Sequence, residues 1–203
     1  IGANIGLYSI YAAIKFKDIE IISFEPSTAN TRTLSRNISI NDLENKISIL
    51  PLALSDKENI ISNFNETKLL EGSSISNFNS DIGYRGEIIK KSQIKNKYSL
   101  YGTNIDNLIL NKILKVPNYI KIDVDGIEHL ILKGAESLLK NKNLKEISIE
   151  MNPTYVNQYE FINNIMKENN FKKLVSLNSR ILKDKNYKLR PNETVNVIFK
   201  KNN

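Results

Sequence analysis

Short apolar runs alternate with segments of helical period along this chain. Residues 20–24 (EIISF) stay apolar up to Glu25-Pro26, and residues 46–54 (KISILPLAL) form a second run, interrupted at Pro51. Residues 119–124 (YIKIDV) and 144–150 (LKEISIE) are two more. Between these runs the apolar positions recur at three and four residues. Leu7, Ile10, Tyr11 and Ile14 share one stripe. Leu108, Ile109, Ile113 and Leu114 share another, on a helix that Thr103 or Asn104 could cap. Leu130, Ile131, Leu138 and Leu139 suggest a third, bent or broken near Gly134, and Phe161, Ile162, Ile165 and Met166 a fourth. Alternating strands and helices predict a parallel sheet covered on both faces.

Two regions depart from this rhythm. Residues 60–101 are polar and rich in Ser and Asn, with apolar scraps such as Ile60-Ile61 and Ile88-Ile89. They read as an insertion of short strands and loops over the sheet edge. Residues 171–200 give FKKLVSL, a polar loop and TVNVIFK, which predicts an antiparallel hairpin at the end of the sheet. No repeat or linker divides the chain, so residues 1–203 are expected to form one domain.

Composition changes this picture little. Hydrophobic residues make up 40% of the chain, enough for a real core. There is no cysteine, so no disulfide framework, and the cytoplasm is the default compartment. No stretch is long and apolar enough to span a membrane. The formal net charge of +7 comes mostly from lysine, scattered between Asn residues rather than massed on one element. A solvated surface explains that pattern better than a nucleic-acid footprint, which should form a clustered stripe. Such a field could still draw in an anionic substrate.

The first chemistry-bearing feature is IGANIG, residues 1–6. A strand, a glycine turn and a helix make an anion or ribose site, because helix-start N–H groups are free and small residues let a ligand come close. The dinucleotide fingerprint is G-x-G-x-x-G, whose middle glycine lets a pyrophosphate approach. Here Asn4 stands in that region, between Gly2 and Gly6, which speaks against NAD. Glu25 follows nineteen residues after Gly6, at the tip of the next predicted strand, where a carboxylate can accept both ribose hydroxyls. The bland alternative is a tight turn and a surface Glu. Further on, Lys121, Asp123 and Asp125 occupy alternate positions and so share one face of an extended segment. Three charges there would be costly to bury unpaired and make sense at a polar cleft.

Several segments in fixed order give a resemblance to a known family. They are IGANIGLYS at 1–9, FEPS at 24–27, LPLALSDKE at 50–58, GSS at 72–74 and TNIDNLI at 103–109. YIKIDVDGIEHLILKGA at 119–135, ISIEMNP at 147–153 and VNVIFKK at 195–201 complete the set. With them the chain resembles the FkbM family of S-adenosylmethionine-dependent methyltransferases. It departs from the family pattern at Asp125, where Glu is usual. The acid that normally precedes the glycine motif lies outside the chain, which is expected to be N-terminally truncated within its first strand.

The resemblance implies a Rossmann-like class I methyltransferase fold: α/β, with a mostly parallel seven-stranded sheet, helices on both faces and an antiparallel C-terminal hairpin. It implies S-adenosyl-L-methionine as cofactor. Gly2, Ala3, Asn4 and Gly6 would line its methionine and ribose part, and Glu25, followed by Pro26, would bind the ribose hydroxyls. Ser55 and Asp56 would seat the adenine, with a simple turn as the alternative for Asp56. Asp123 would hold the cofactor amino group or deprotonate a substrate hydroxyl. Glu128 is a further candidate base, or it only favours a helix N-terminus. Glu150 is another, expected beside Asp123. The lone His129 also titrates near neutral pH but is expected on an exposed helix turn. A Mg²⁺ site among these acids has no supporting motif, and no metal is assigned.

The implied activity is O-methylation of a sugar hydroxyl in a glycan or secondary metabolite, with a small-molecule or glycan acceptor as partner. Its rivals are an RNA or other macromolecule methyltransferase, an NAD-dependent oxidoreductase and an inactive cofactor-binding module.

Overall fold

A computed structural model describes residues 1–174 and 194–202. In chain order the elements are helix α1 (Leu7–Lys15), strand β1 (Ile21–Phe24), α2 (Thr28–Ser39), β2 (Ile47–Leu50) and β3 (Ala53–Leu54). Then come β4 (Ile60–Glu66), β5 (Ser76–Phe78), β6 (Asn96–Thr103), α3 (Ile105–Leu110) and β7 (Tyr119–Ile122). Helices α4 (Glu128–Lys133) and α5 (Glu136–Lys140), β8 (Glu146–Met151), α6 (Val156–Glu168), β9 (Phe171–Leu174) and β10 (Val195–Lys201) follow.

The helix ends have local causes. Ser27 caps α2 by accepting from Asn30 N, and Asn104 caps α3 by accepting from Asn107 N. The stripe at 130–139 does break at Gly134. A Cβ there would lie 2.2 Å from Ser55 O, so only glycine admits the crossing chain. Asp106 then restarts the helix, taking Ser137 N at 2.7 Å and Leu138 N at 2.9 Å.

The expected single, mostly parallel seven-stranded sheet is not what forms. The described strands fall into three sheets. β1 and β2 make a parallel pair; β7, β8, β10 and β9 make a mixed sheet in that order; β3, β6, β4 and β5 make another. In the second, only β7 and β8 run parallel, and β10 is antiparallel to both neighbours. In the third, β3 and β6 are parallel while β4 is antiparallel to β5 and β6.

Two physical causes are visible. Pro51, which has no N–H to give, splits the apolar run at 46–54, so its halves pair with different partners, β2 with β1 and β3 with β6. The polar stretch at 60–101, read as short strands and loops, holds the three-residue β5 and loops, and it also builds the seven-residue β4 and most of the eight-residue β6, around Ala53, Phe64 and Phe78. The β1–β2 pair joins the β7 sheet through three residues. Gly2 N and Ala3 N donate to Phe24 O, Ile1 N donates to Lys121 O, and Ile1 O accepts from Asp123 N.

The main core lies between the β7 sheet and α3 to α6, with Ile122, Ile149, Leu139, Ile162 and Val197 fully buried. The apolar stripe of α1 is a second correction. Leu7, Tyr11 and Ile14 are 64–73% exposed, whereas Ala13 is buried and Ile10 packs with Leu34 and Ile47. The small side of the helix faces the sheet. Among the described residues, no helix is long and apolar enough to cross a membrane.

Candidate functional site

A cleft of about 420 Å³ opens where the 1–6 turn meets the carboxyl ends of β1 and β7. Its volume lies within the ordinary range for a small-molecule site. The turn is built for close approach. Gly2 has φ +73°, and a Cβ on it would sit 1.9 Å from Asp123 O. Asn4 has φ +51°, a conformation Asn tolerates better than most residues, and its Oδ1 accepts from Ile5 N at 2.7 Å.

Glu25 is only 5% exposed. Its Oε2 accepts from Asn4 N at 2.7 Å; its Oε1 accepts from Ser27 N at 3.0 Å and Asn30 Nδ2 at 3.5 Å. A carboxylate offers about four acceptor positions, so one remains, on Oε2. Burial pushes this carboxyl above the usual range, and the three donors oppose that shift. Deeper in, the walls are apolar, with Phe24, Leu54, Phe64, Phe78, Ile127 and Ile131.

At the end of β7, Lys121 pairs with Asp123 and lies 4.1 Å above the Tyr8 ring. Asp123 lines the cleft. Glu150 sits beside it, outside the lining, with Thr194 Oγ1 donating to Glu150 Oε1 at 2.8 Å. Burial and the neighbouring Asp123 push the Glu150 carboxyl up. Asp125 also lines the cleft; its Oδ2 accepts from Ile75 N at 2.5 Å and Ser76 N at 3.1 Å. Burial raises its pKa, and those two bonds oppose the rise.

Asp125 thereby clips a loop over the site, at a strained point: Ile75 is β-branched and has φ +70°. The other end of that loop is held by Asn4 Nδ2 and Asn30 Nδ2, both donating to Ser73 O, and by Gly72 N donating to Asn30 Oδ1.

Gly2, Ala3, Asn4, Glu25, Pro26 and Asp123 therefore converge on one cleft, while Gly6, Ser55, Asp56, Glu128 and Glu150 are not part of its lining. Gly6 is buried at the start of α1. Ser55 Oγ accepts from Lys57 N at 3.1 Å in a local turn. Asp56 lies at a separate surface depression with Lys133, Glu136 and Phe161.

Glu128 turns inward rather than to the cleft. It accepts from Gln158 Nε2 at 2.8 Å and Gly126 N at 3.5 Å, and burial pushes its carboxyl up to about 8. His129, expected on an exposed turn, is instead half-buried between the Tyr155 and Phe161 rings, where burial lowers its pKa.

Sequence reasoning missed Asn30, Tyr8 and the role of the 72–76 loop. The spacing of Asn30, one helical turn after the Ser27 cap, was the available signal. The GSS string marked the loop without assigning it a place.

The lining contains three carboxylates, Glu25, Asp123 and Asp125, and no Lys or Arg. This acceptor set fits a cationic sulfonium cofactor with ribose hydroxyls and is hostile to a pyrophosphate.

The family model described as the Methyltransferase FkbM domain matches residues 1–173. The chain belongs to the FkbM methyltransferase family. This FkbM domain is similar in fold to the crystal structure of methyltransferase FkbM from Methylobacillus flagellatus KT. The TM-score is 0.58 at 16% identity, over 98% of this chain and 41% of that one. It is also 41% identical over 54 residues to methyltransferase sdnD of Sordaria araneosa, which is 27% of this chain and 21% of sdnD. The matched regions thus span less than half the length of either relative.

Proposed function

We propose that this FkbM domain binds S-adenosyl-L-methionine and methylates a hydroxyl of a small-molecule or glycan acceptor, a sugar hydroxyl by preference. The carrying observation is the cleft itself: three carboxylates, no basic side chain, and a buried Glu25 with an open acceptor position behind a glycine turn.

When bound, the cofactor supplies an electrophilic methyl group on a sulfonium centre. The chain supplies the rest. Glu25 accepts a ribose hydroxyl. Gly2 and Ala3 keep the floor low enough for close approach. The apolar walls take the flat base. Asp123, with Lys121 paired to it and Glu150 beside it, accepts the proton that the acceptor hydroxyl loses. Positioning contributes the remainder, since a bound acceptor needs only alignment with the methyl group.

Calorimetry with S-adenosylmethionine, S-adenosylhomocysteine and NAD tests the reading. The first two should bind and NAD should not. Binding of NAD without S-adenosylhomocysteine would overturn it in favour of the oxidoreductase.

A further inference from the structure

We infer that Glu66 is a positioning residue for the Glu25 carboxylate, acting through Ser27. The inference rests on the ribose role proposed for Glu25. Glu66 ends β4, in the sheet built from residues 53–103, and does not line the cleft. It is 4% exposed. A carboxylate buried to that degree needs a specific reason, because removing it from water is costly unless every oxygen is satisfied.

Its two bonds give the reason. Oε1 accepts from Ser27 Oγ at 2.6 Å, and Oε2 accepts from Asn96 Nδ2 at 2.7 Å. A serine hydroxyl carries one proton. With that proton committed to Glu66, Ser27 Oγ has only lone pairs left, and it accepts from Asn30 N at the start of α2. Ser27 and Asn30 are the residues whose N–H and Nδ2 hold Glu25 Oε1. Glu66 therefore acts, through Ser27, on two of the three donors that turn Glu25, and through them on where the open position on Oε2 points.

A merely structural tie would not need an acceptor for the Ser27 hydroxyl. Tyr98, on the neighbouring strand β6, already fastens the same segment: its hydroxyl donates to Pro26 O at 3.3 Å and accepts from Thr28 N at 3.2 Å. What Glu66 adds is control of the Ser27 proton. The second mixed sheet thus reaches the ribose site without touching the ligand.

The test compares affinity for S-adenosylhomocysteine with affinity for its 2′,3′-dideoxyribose analogue. The ratio reads the ribose hydroxyls alone. Glu66→Ala should narrow that ratio by about tenfold, the weight of one hydrogen bond to a charged group. Glu66→Gln, whose amide oxygen still accepts from Ser27, should restore most of it. An equal loss for both ligands, or no loss, would overturn the inference. If Glu66→Ala does not fold, Ser27→Ala keeps the backbone N–H that holds Glu25 Oε1 and removes the hydroxyl, with its bond to Glu66 and its acceptance from Asn30 N; it should narrow the ratio too, and an unchanged ratio counts against the inference. Glu25→Gln separates the two levels. If it leaves the ratio intact, the ribose role fails. If it closes the ratio while Glu66→Ala does not, only the Glu66 inference fails.

Discussion

Glu25 and Glu128 are both buried carboxyl groups, 5% and 3% exposed, and burial pushes both pKa values up. They nevertheless occupy opposite situations. Glu25 receives three N–H donors, borders a cavity and keeps an acceptor position open toward it. Glu128 lies behind the turn that follows β7, closed off by Gln158 and Gly126, and lines neither the cleft nor the depression at Asp56. A perturbed carboxyl is thus no site by itself. What distinguishes a binding group is unfilled hydrogen-bonding capacity aimed at space a ligand can enter.

The comparison can be broken by mutation. The largest effect is expected at Asp123, which shares the cleft with Glu25. Asp123→Asn removes the proton acceptor while keeping the volume, and should lower kcat about a thousandfold. Affinity for S-adenosylhomocysteine should change little. Steady-state kinetics with a responsive acceptor, alongside a thermal melt, checks this; normal turnover would remove Asp123 from the base role. Next comes Glu25→Gln, which should weaken S-adenosylhomocysteine binding by about tenfold, the scale of a charge-assisted bond lost to a neutral one. Glu128→Gln should leave that affinity unchanged. Equal losses in the two variants, measured by calorimetry, would erase the distinction between them.

Much of this site was legible because its signals are local. The 1–6 turn, Glu25 at the end of β1 and Asp123 at the end of β7 come from short apolar runs and the residues that stop them. The break at Gly134 and the cap at Asn104 are equally local. The strand pairing was not legible, because it is decided between distant segments. Nothing in residues 60–66 alone reveals that they lie antiparallel to residues 96–102. The α1 stripe shows a related limit: periodicity finds a helix's apolar face, but not whether a neighbour covers it. Asn30 bonds a loop more than forty residues away, so no spacing rule could place the two together. Glu128 was ambiguous for a simpler reason. An acid at a helix start looks the same in sequence whether it faces a cleft or the interior.

That ambiguity has a measurable consequence in the pH dependence of stability. The Glu128 carboxyl titrates near 8 in the folded chain, against an ordinary 4.5. Between those values the folded state holds a proton that the unfolded state has released. Stability should therefore be highest at the acid end of this window and fall as pH rises through it, by about 1.4 kcal/mol per pH unit at most, then level off above 8. Burial raises Glu25, Asp125 and Glu150 as well, and they add slopes of the same sign. The informative quantity is thus the difference between wild type and Glu128→Gln, which cannot ionise. Denaturant titrations at pH 5 to 9 should show the variant gaining on the wild type steadily up to pH 8, with no further gain at pH 9. Parallel stability curves would mean that Glu128 is ionised inside the fold, and that Gln158 and Gly126 compensate a buried charge rather than solvate a neutral acid.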